Sequence, residues 1–109
     1  MFTKGNFQNI MKQAKNVQEK LEATQAELEK LEIKGQAGGG MVVAMVNGKQ
    51  ELLSLKIDPE ILTDDVEMVE DLIVAAVNQG LSKAGEESQK RMSGISGSVL
   101  GSLGDLEIP

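Results

Sequence analysis

The sequence predicts an α+β protomer of order αβββα, a three-stranded antiparallel meander flanked by two long helices. Three observations carry that prediction. Apolar or small residues recur at alternating spacings of three and four from Phe7 to Leu31. They recur at helical spacing again from Val66 to Ala84. Between these segments lie three short β-type runs punctuated by Gly-rich and Asn-Gly turns.

The first helix is predicted over 6–32. Its seam is Phe7, Ile10, Ala14, Val17, Leu21, Thr24, Leu28 and Leu31, with no Pro or internal Gly to interrupt it. At 1.5 Å per residue it is about 40 Å long, more than its own sheet needs, so part of it should project or pair with another chain. The first strand is predicted over 33–37, ending at Gly38-Gly39-Gly40, and the second over 41–46. Asn47-Gly48 reads as a two-residue type I′ hairpin turn. The third strand, 50–57, is predicted with Leu53, Leu55 and Ile57 on one face and Leu52, Ser54 and Lys56 on the other. Asp58-Pro59 marks a helix start, and Asp64 with Glu67 has capping-box spacing. The second helix is predicted from about residue 65 to about 92, with Val66, Val69, Ile73, Ala76, Val77, Leu81 and Ala84 as its buried stripe. One domain over 1–93 and a flexible Gly/Ser-rich tail over 94–109 are expected. The exposed sheet edge and overhanging helices imply a homodimer.

Composition narrows the chemistry. The 109 residues include no His, Cys, Trp or Tyr. Zinc fingers, Cys nucleophiles, Ser–His systems and disulfides are therefore excluded. Two Phe residues alone do not make a stacking platform for single strands. No apolar run approaches a membrane span, and the polar start of the chain lacks a signal peptide's apolar core. A reduced cytosolic setting is expected. The acids at Asp64, Asp65, Glu67, Glu70 and Asp71 read as capping and dipole compensation, without the alternating Asp and central Gly of a calcium loop. Gly38-Gly39-Gly40 opens a strand, not the Gly-Lys-Ser/Thr helix start of a P-loop. The Met residues, among them Met11, Met41 and Met45, read as packing. No catalytic residue, metal, cofactor, membrane or small-molecule substrate is expected.

Net charge is −6, and its distribution says more than its sum. Residues 1–20 carry Lys4, Lys12, Lys15 and Lys20 against Glu19 alone, whereas 59–79 hold six acids and no base. Lys83, Lys90 and Arg91 lie late in the second helix with Glu86 and Glu87 interleaved. Positive charge is thus expected at the start of the first helix and the end of the second. From spacing alone an ordinary solvated face is the favoured reading of these cations over a binding surface.

The order and spacing of several short stretches supply a stronger signal. These are Asn9-Ile-Met-Lys-Gln-Ala14, Gln18-Glu-Lys20, Gly35-Gln-Ala-Gly-Gly-Gly40, Asn47-Gly48, Ile57-Asp-Pro59, residues 64–72 and Ala75-Ala-Val-Asn78. Together they resemble the YbaB/EbfC family of bacterial nucleoid-associated proteins over residues 1–95. The resemblance implies a tweezer-like homodimer with projecting helices that binds duplex DNA at the nucleoid and alters its conformation. It also implies contacts through Lys12, Lys15, Lys20, Lys83, Lys90 and Arg91. Lys4 joins them on charge. The expected mode is a backbone clamp with weak sequence preference, in which Asn6, Gln8, Asn9 and Gln13 are the candidates for base edges. The alternative is a helical interaction module that grips a protein partner without touching DNA.

Overall fold

The computed structural model describes residues 4–104, with side chains over 5–95. Helix α1 spans Lys4–Lys30, strands β1, β2 and β3 span Ile33–Ala37, Val42–Val46 and Leu52–Ile57, and helix α2 spans Val66–Gly104. A 3-10 turn, Pro59–Thr63, precedes α2. The sheet is an antiparallel meander in the order β1-β2-β3. The predicted α+β architecture is the one observed.

The turns differ from expectation in instructive ways. Gly38, Gly39 and Gly40 all have positive φ, at 62°, 67° and 93°, so only glycine closes the β1–β2 connection without strain. The β2–β3 turn is wider than the two-residue form expected at Asn47-Gly48. Asn47 N–H donates to the Glu51 carbonyl and Gln50 N–H donates to the Asn47 carbonyl, and Gln50 takes the left-handed conformation at φ 62°. Gly48 serves a different purpose. Its N–H donates to the Leu28 carbonyl at 2.7 Å, and a Cβ there would lie 2.8 Å from that oxygen. The hairpin therefore gives the Leu28 carbonyl, in the last turn of α1, a second and shorter donor beside Leu31 N–H at 3.2 Å. Asn47, 2% exposed, organises the turn: its Oδ1 accepts from Lys49 and Glu51 N–H, and its Nδ2 donates to Glu51 Oε1.

The expected alternation of β3 is broken by a bulge. Met45 pairs with Ser54, but Val46 pairs with Leu52, so Leu52 rather than Leu53 joins the face of Leu55 and Ile57. Asp58 N-caps the 3-10 turn by accepting from Glu60 N–H. The cap of α2 is Asp65, whose carboxylate accepts from Glu67 N–H, one residue later than the expected Asp64.

Helix α2 lies across β1 and β2. Val42, Ala44, Ile61 and Ala76 form the buried centre, with Ala37, Ile57, Leu72, Ile73 and Val77 packed around it. Gly35 of β1 and Gly80 of α2 permit an approach of backbone on backbone. Strand β3 stays outside this cover, with Leu52, Leu53 and Leu55 exposed. Val66, expected in the buried stripe, is 68% exposed, because the helix reaches the sheet only a turn or more later. Helix α2 also continues through 94–104 instead of ending near Met92. Residues 105–109 of the expected tail lie outside the described residues.

The two helices run antiparallel beyond the sheet. Extents of 72 × 23 × 16 Å and a radius of gyration of 21.3 Å result. A compact chain of this length would have a radius of about 13 Å, so the molecule is a small sheet-based root carrying a long arm.

Candidate nucleic-acid interface

The arm's register follows from two contacts. Arg91 on α2 bonds Glu27 on α1, and Leu31 faces Glu87 across a cleft. Each further residue of α2 matches one earlier residue of α1. The last helical residue, Gly104, is therefore level with Ala14, and the first ten or so residues of α1 extend past the end of α2.

Burial along α1 follows this geometry. Leu28 is buried, and Val17, Leu21, Thr24 and Leu31 are half-buried against α2. Farther out the predicted seam opens: Ile10 is 40% exposed and Phe7 59%. Met11, expected to pack, is 57% exposed.

Lys12 and Lys15 are exposed on α1. At about 100° per residue they lie roughly 140–160° round the helix from Leu28, on its outer face with Gln8. No acid occurs between Lys4 and Gln18, and none on α2 from Met92 to Gly104. Among the described residues the distal arm therefore carries positive charge and no acid, in a protein of net charge −6; Asp105 and Glu107 of the sequence lie outside the described residues. Lys4 opens α1, but its side chain lies outside the described residues. Lys20 is exposed farther toward the root. Asn6, Gln8 and Asn9 are exposed, whereas Gln13 is half-buried on the α2 side.

The other three candidates lie elsewhere. Lys83, Lys90 and Arg91 sit in the middle of α2. Arg91 is thirteen residues short of Gly104, about 20 Å from the helix end where the sequence placed it. The Lys83 ammonium donates to the Lys34 carbonyl at 3.2 Å. Lys83 and Lys90 line a shallow cleft of about 280 Å³ with Leu31, Ile33, Glu86 and Glu87. Arg91 is held at 3.0 Å by both Glu27 and Glu87. Two carboxylates thus already neutralise its guanidinium, and only part of its charge remains for a phosphate. The structure places these three toward the root of the arm, roughly 18–35 Å along it from Lys12 and Lys15. Sequence could not show the Arg91 ion pair, because Glu27 lies 64 positions away.

Among the described residues, no group of three or more Asp or Glu is gathered to hold a metal ion. No described helix is long and apolar enough to cross a membrane.

Comparison with known proteins places this geometry in context. A model of the YbaB/EbfC DNA-binding family matches residues 4–99. A nucleoid-associated protein of Chlorobium phaeobacteroides (strain BS1) is 51% identical over 96 residues, covering 88% of this chain and 86% of that protein. One from Clostridium perfringens (strain SM101) is 50% identical over 96 residues, covering 87% and 86%. The crystal structure of an uncharacterized protein from Helicobacter pylori superposes with a TM-score of 0.61 at 26% identity, covering 73% of this chain and 93% of that one.

Proposed function

The chain belongs to the YbaB/EbfC DNA-binding family of nucleoid-associated proteins, and from that premise we propose that it works as a homodimer whose arms clamp the phosphates of duplex DNA. The observation that carries this reading is the distal half of α1, where Lys12 and Lys15 stand exposed on the outer face and the helix carries no acid before Glu19. Exposed lysines reach phosphates without desolvating a neighbour. Lys4, Lys12 and Lys15 from each of two subunits contact about six phosphates, and Lys20 raises the count to about eight. Log K then falls with log salt at a slope of about −5 to −7. Contacts of this kind position the protein and leave sequence preference weak.

The root supports the second half of the proposal. Leu52, Leu53 and Leu55 on the uncovered strand β3, and Leu62, Val66 and Met68 after it in the chain, are all exposed large apolar side chains. A two-fold pairing through this surface covers it and sets two arms on one duplex. A protein partner seated there is the competing reading, favoured by the acids Asp64, Asp65, Glu67 and Asp71 interleaved in sequence with the exposed Leu62, Val66 and Met68.

Fluorescence anisotropy of a labelled duplex, titrated at several salt concentrations, tests the clamp. Sedimentation of the free protein reports the subunit count. The expected result is a dimer whose DNA binding weakens steeply with salt and is lost in Lys12→Glu/Lys15→Glu. Unchanged binding by that variant would sink the clamp.

A further inference from the structure

Charge separates the two exposed apolar surfaces of this protein. At the root, the exposed Leu62, Val66 and Met68 lie within 59–79, a segment of six acids and no base. The other is at the far end of α1, where Phe7 is 59% exposed, Ile10 40% and Met11 57%. Spacings of three and four put these side chains on one side of the helix. By the register set through Arg91–Glu27, all three lie past the last helical residue of α2. Their neighbours on α1 are Asn6, Gln8, Asn9, Lys12 and Lys15, with no acid before Glu19. An apolar knob rimmed by cations and amides complements a polyanion with an apolar interior. An acidic surface such as the protein's own root has the charge but not the stacked planar groups.

We propose that Phe7, flanked by Ile10 and Met11, is a wedge that enters duplex DNA between adjacent base pairs from the minor groove. Lys12 and Lys15 hold the flanking phosphates, so the protein kinks the duplex as well as gripping it. This rests on the DNA-binding reading above. The minor groove is about 6 Å wide and admits side chains at a helix tip but not the helix itself. Apolar side chains inserted there unstack a base step and bend the duplex by roughly 20–90° toward the major groove. Pyrimidine–purine steps unstack most readily, so the wedge confers a preference for TA and CA/TG steps without a base-specific hydrogen bond.

The sequence holds no Trp or Tyr, so Phe7→Trp places a single indole reporter at the wedge. The duplex carries one central TA step, 2-aminopurine beside it, and a donor–acceptor pair at its ends. Binding should quench the indole, brighten the 2-aminopurine and shorten the end-to-end distance. Phe7→Ala/Met11→Ala should keep the wild-type salt slope and lose the last two signals. A double variant that bends DNA as wild type does overturns the wedge and leaves the clamp standing. An indole already shielded from acrylamide in the free protein also overturns it, because that face is then covered by this chain or a second copy. Wild-type protein that binds no duplex at any salt removes both proposals.

Discussion

Gly35 is the residue on which the arm's placement depends, and Gly35→Ala tests this. A Cβ there would fall within van der Waals contact of the Ala76 carbonyl oxygen and the Gly80 nitrogen, and 2.8 Å from the Gly80 Cα. All three are backbone atoms, so no side chain can swing aside. Carbon–carbon contact is comfortable at about 3.5 Å, so β1 and α2 must part by at least about 0.7 Å. A gap of that size forfeits roughly a quarter to a half of each dispersion contact along the seam. That seam includes Val46, Ala76 and Ala84, all fully buried. Overpacking costs about 1–3 kcal/mol, and with only backbone to yield the cost should be near 3 kcal/mol. At about 4–8 °C per kcal/mol, the melting temperature should fall by roughly 12–24 °C. Far-UV circular dichroism at one fixed protein concentration measures it, since melting of the proposed dimer would depend on concentration. Gly94→Ala is the control. Nothing lies within 4 Å of a Cβ there, and the helical site should gain up to about 1 kcal/mol. A Gly35→Ala protein that melts within about 2 °C of wild type would refute the close-approach argument.

Two further outcomes are expected. Asn47→Ala removes two acceptor contacts to backbone N–H groups and one donor contact in a 2% exposed site, so urea unfolding should show a loss of about 2–3 kcal/mol. Arg91→Ala breaks partly exposed ion pairs to Glu27 and Glu87, so stability should fall by at most about 1 kcal/mol, and by less at high salt. In anisotropy titrations the same variant should weaken DNA binding less than Lys12→Ala does, because its guanidinium is already held by two carboxylates.

What the sequence made legible depended on how local each cause is. The α1 period exposes the seam and places Lys12 and Lys15 opposite it. That inference needs only the helical repeat, and the structure agrees. The period says nothing about where the partner helix ends, so Phe7 and Ile10 read as packed although they lie past it. Leu52-Leu53 fits either face of a strand, and the bulge that decides between them is set by the pairing with Val46. Asn47-Gly48 has the local pattern of a two-residue hairpin turn, whereas Gly48 is fixed by its contact with Leu28, about twenty residues earlier. The Gly/Ser composition after Ser93 suggested an end to α2, and the helix continues to Gly104. Arg91 looked available because its partner Glu27 belongs to the other helix. Each departure is a long-range contact or an element length, neither of which a local pattern contains.

The net charge of −6 misleads for the same reason. From the acids that open α2 to its last residue, Gly104, is about 57 Å along the helix. The Debye length is about 8 Å at physiological salt and about 30 Å even at 0.01 M. A phosphate at the distal arm therefore experiences Lys12 and Lys15 and almost nothing of Asp64, Asp65 or Glu67. A duplex that approaches the root meets those acids first and is repelled. In the proposed clamp, the segregation of charge along a 72 Å molecule thus favours an arms-first encounter over one at the start of α2. It also fixes what a salt titration counts. The slope reports the lysines at the arm ends, and substitution of an acid at the root, such as Asp65, leaves that slope unchanged.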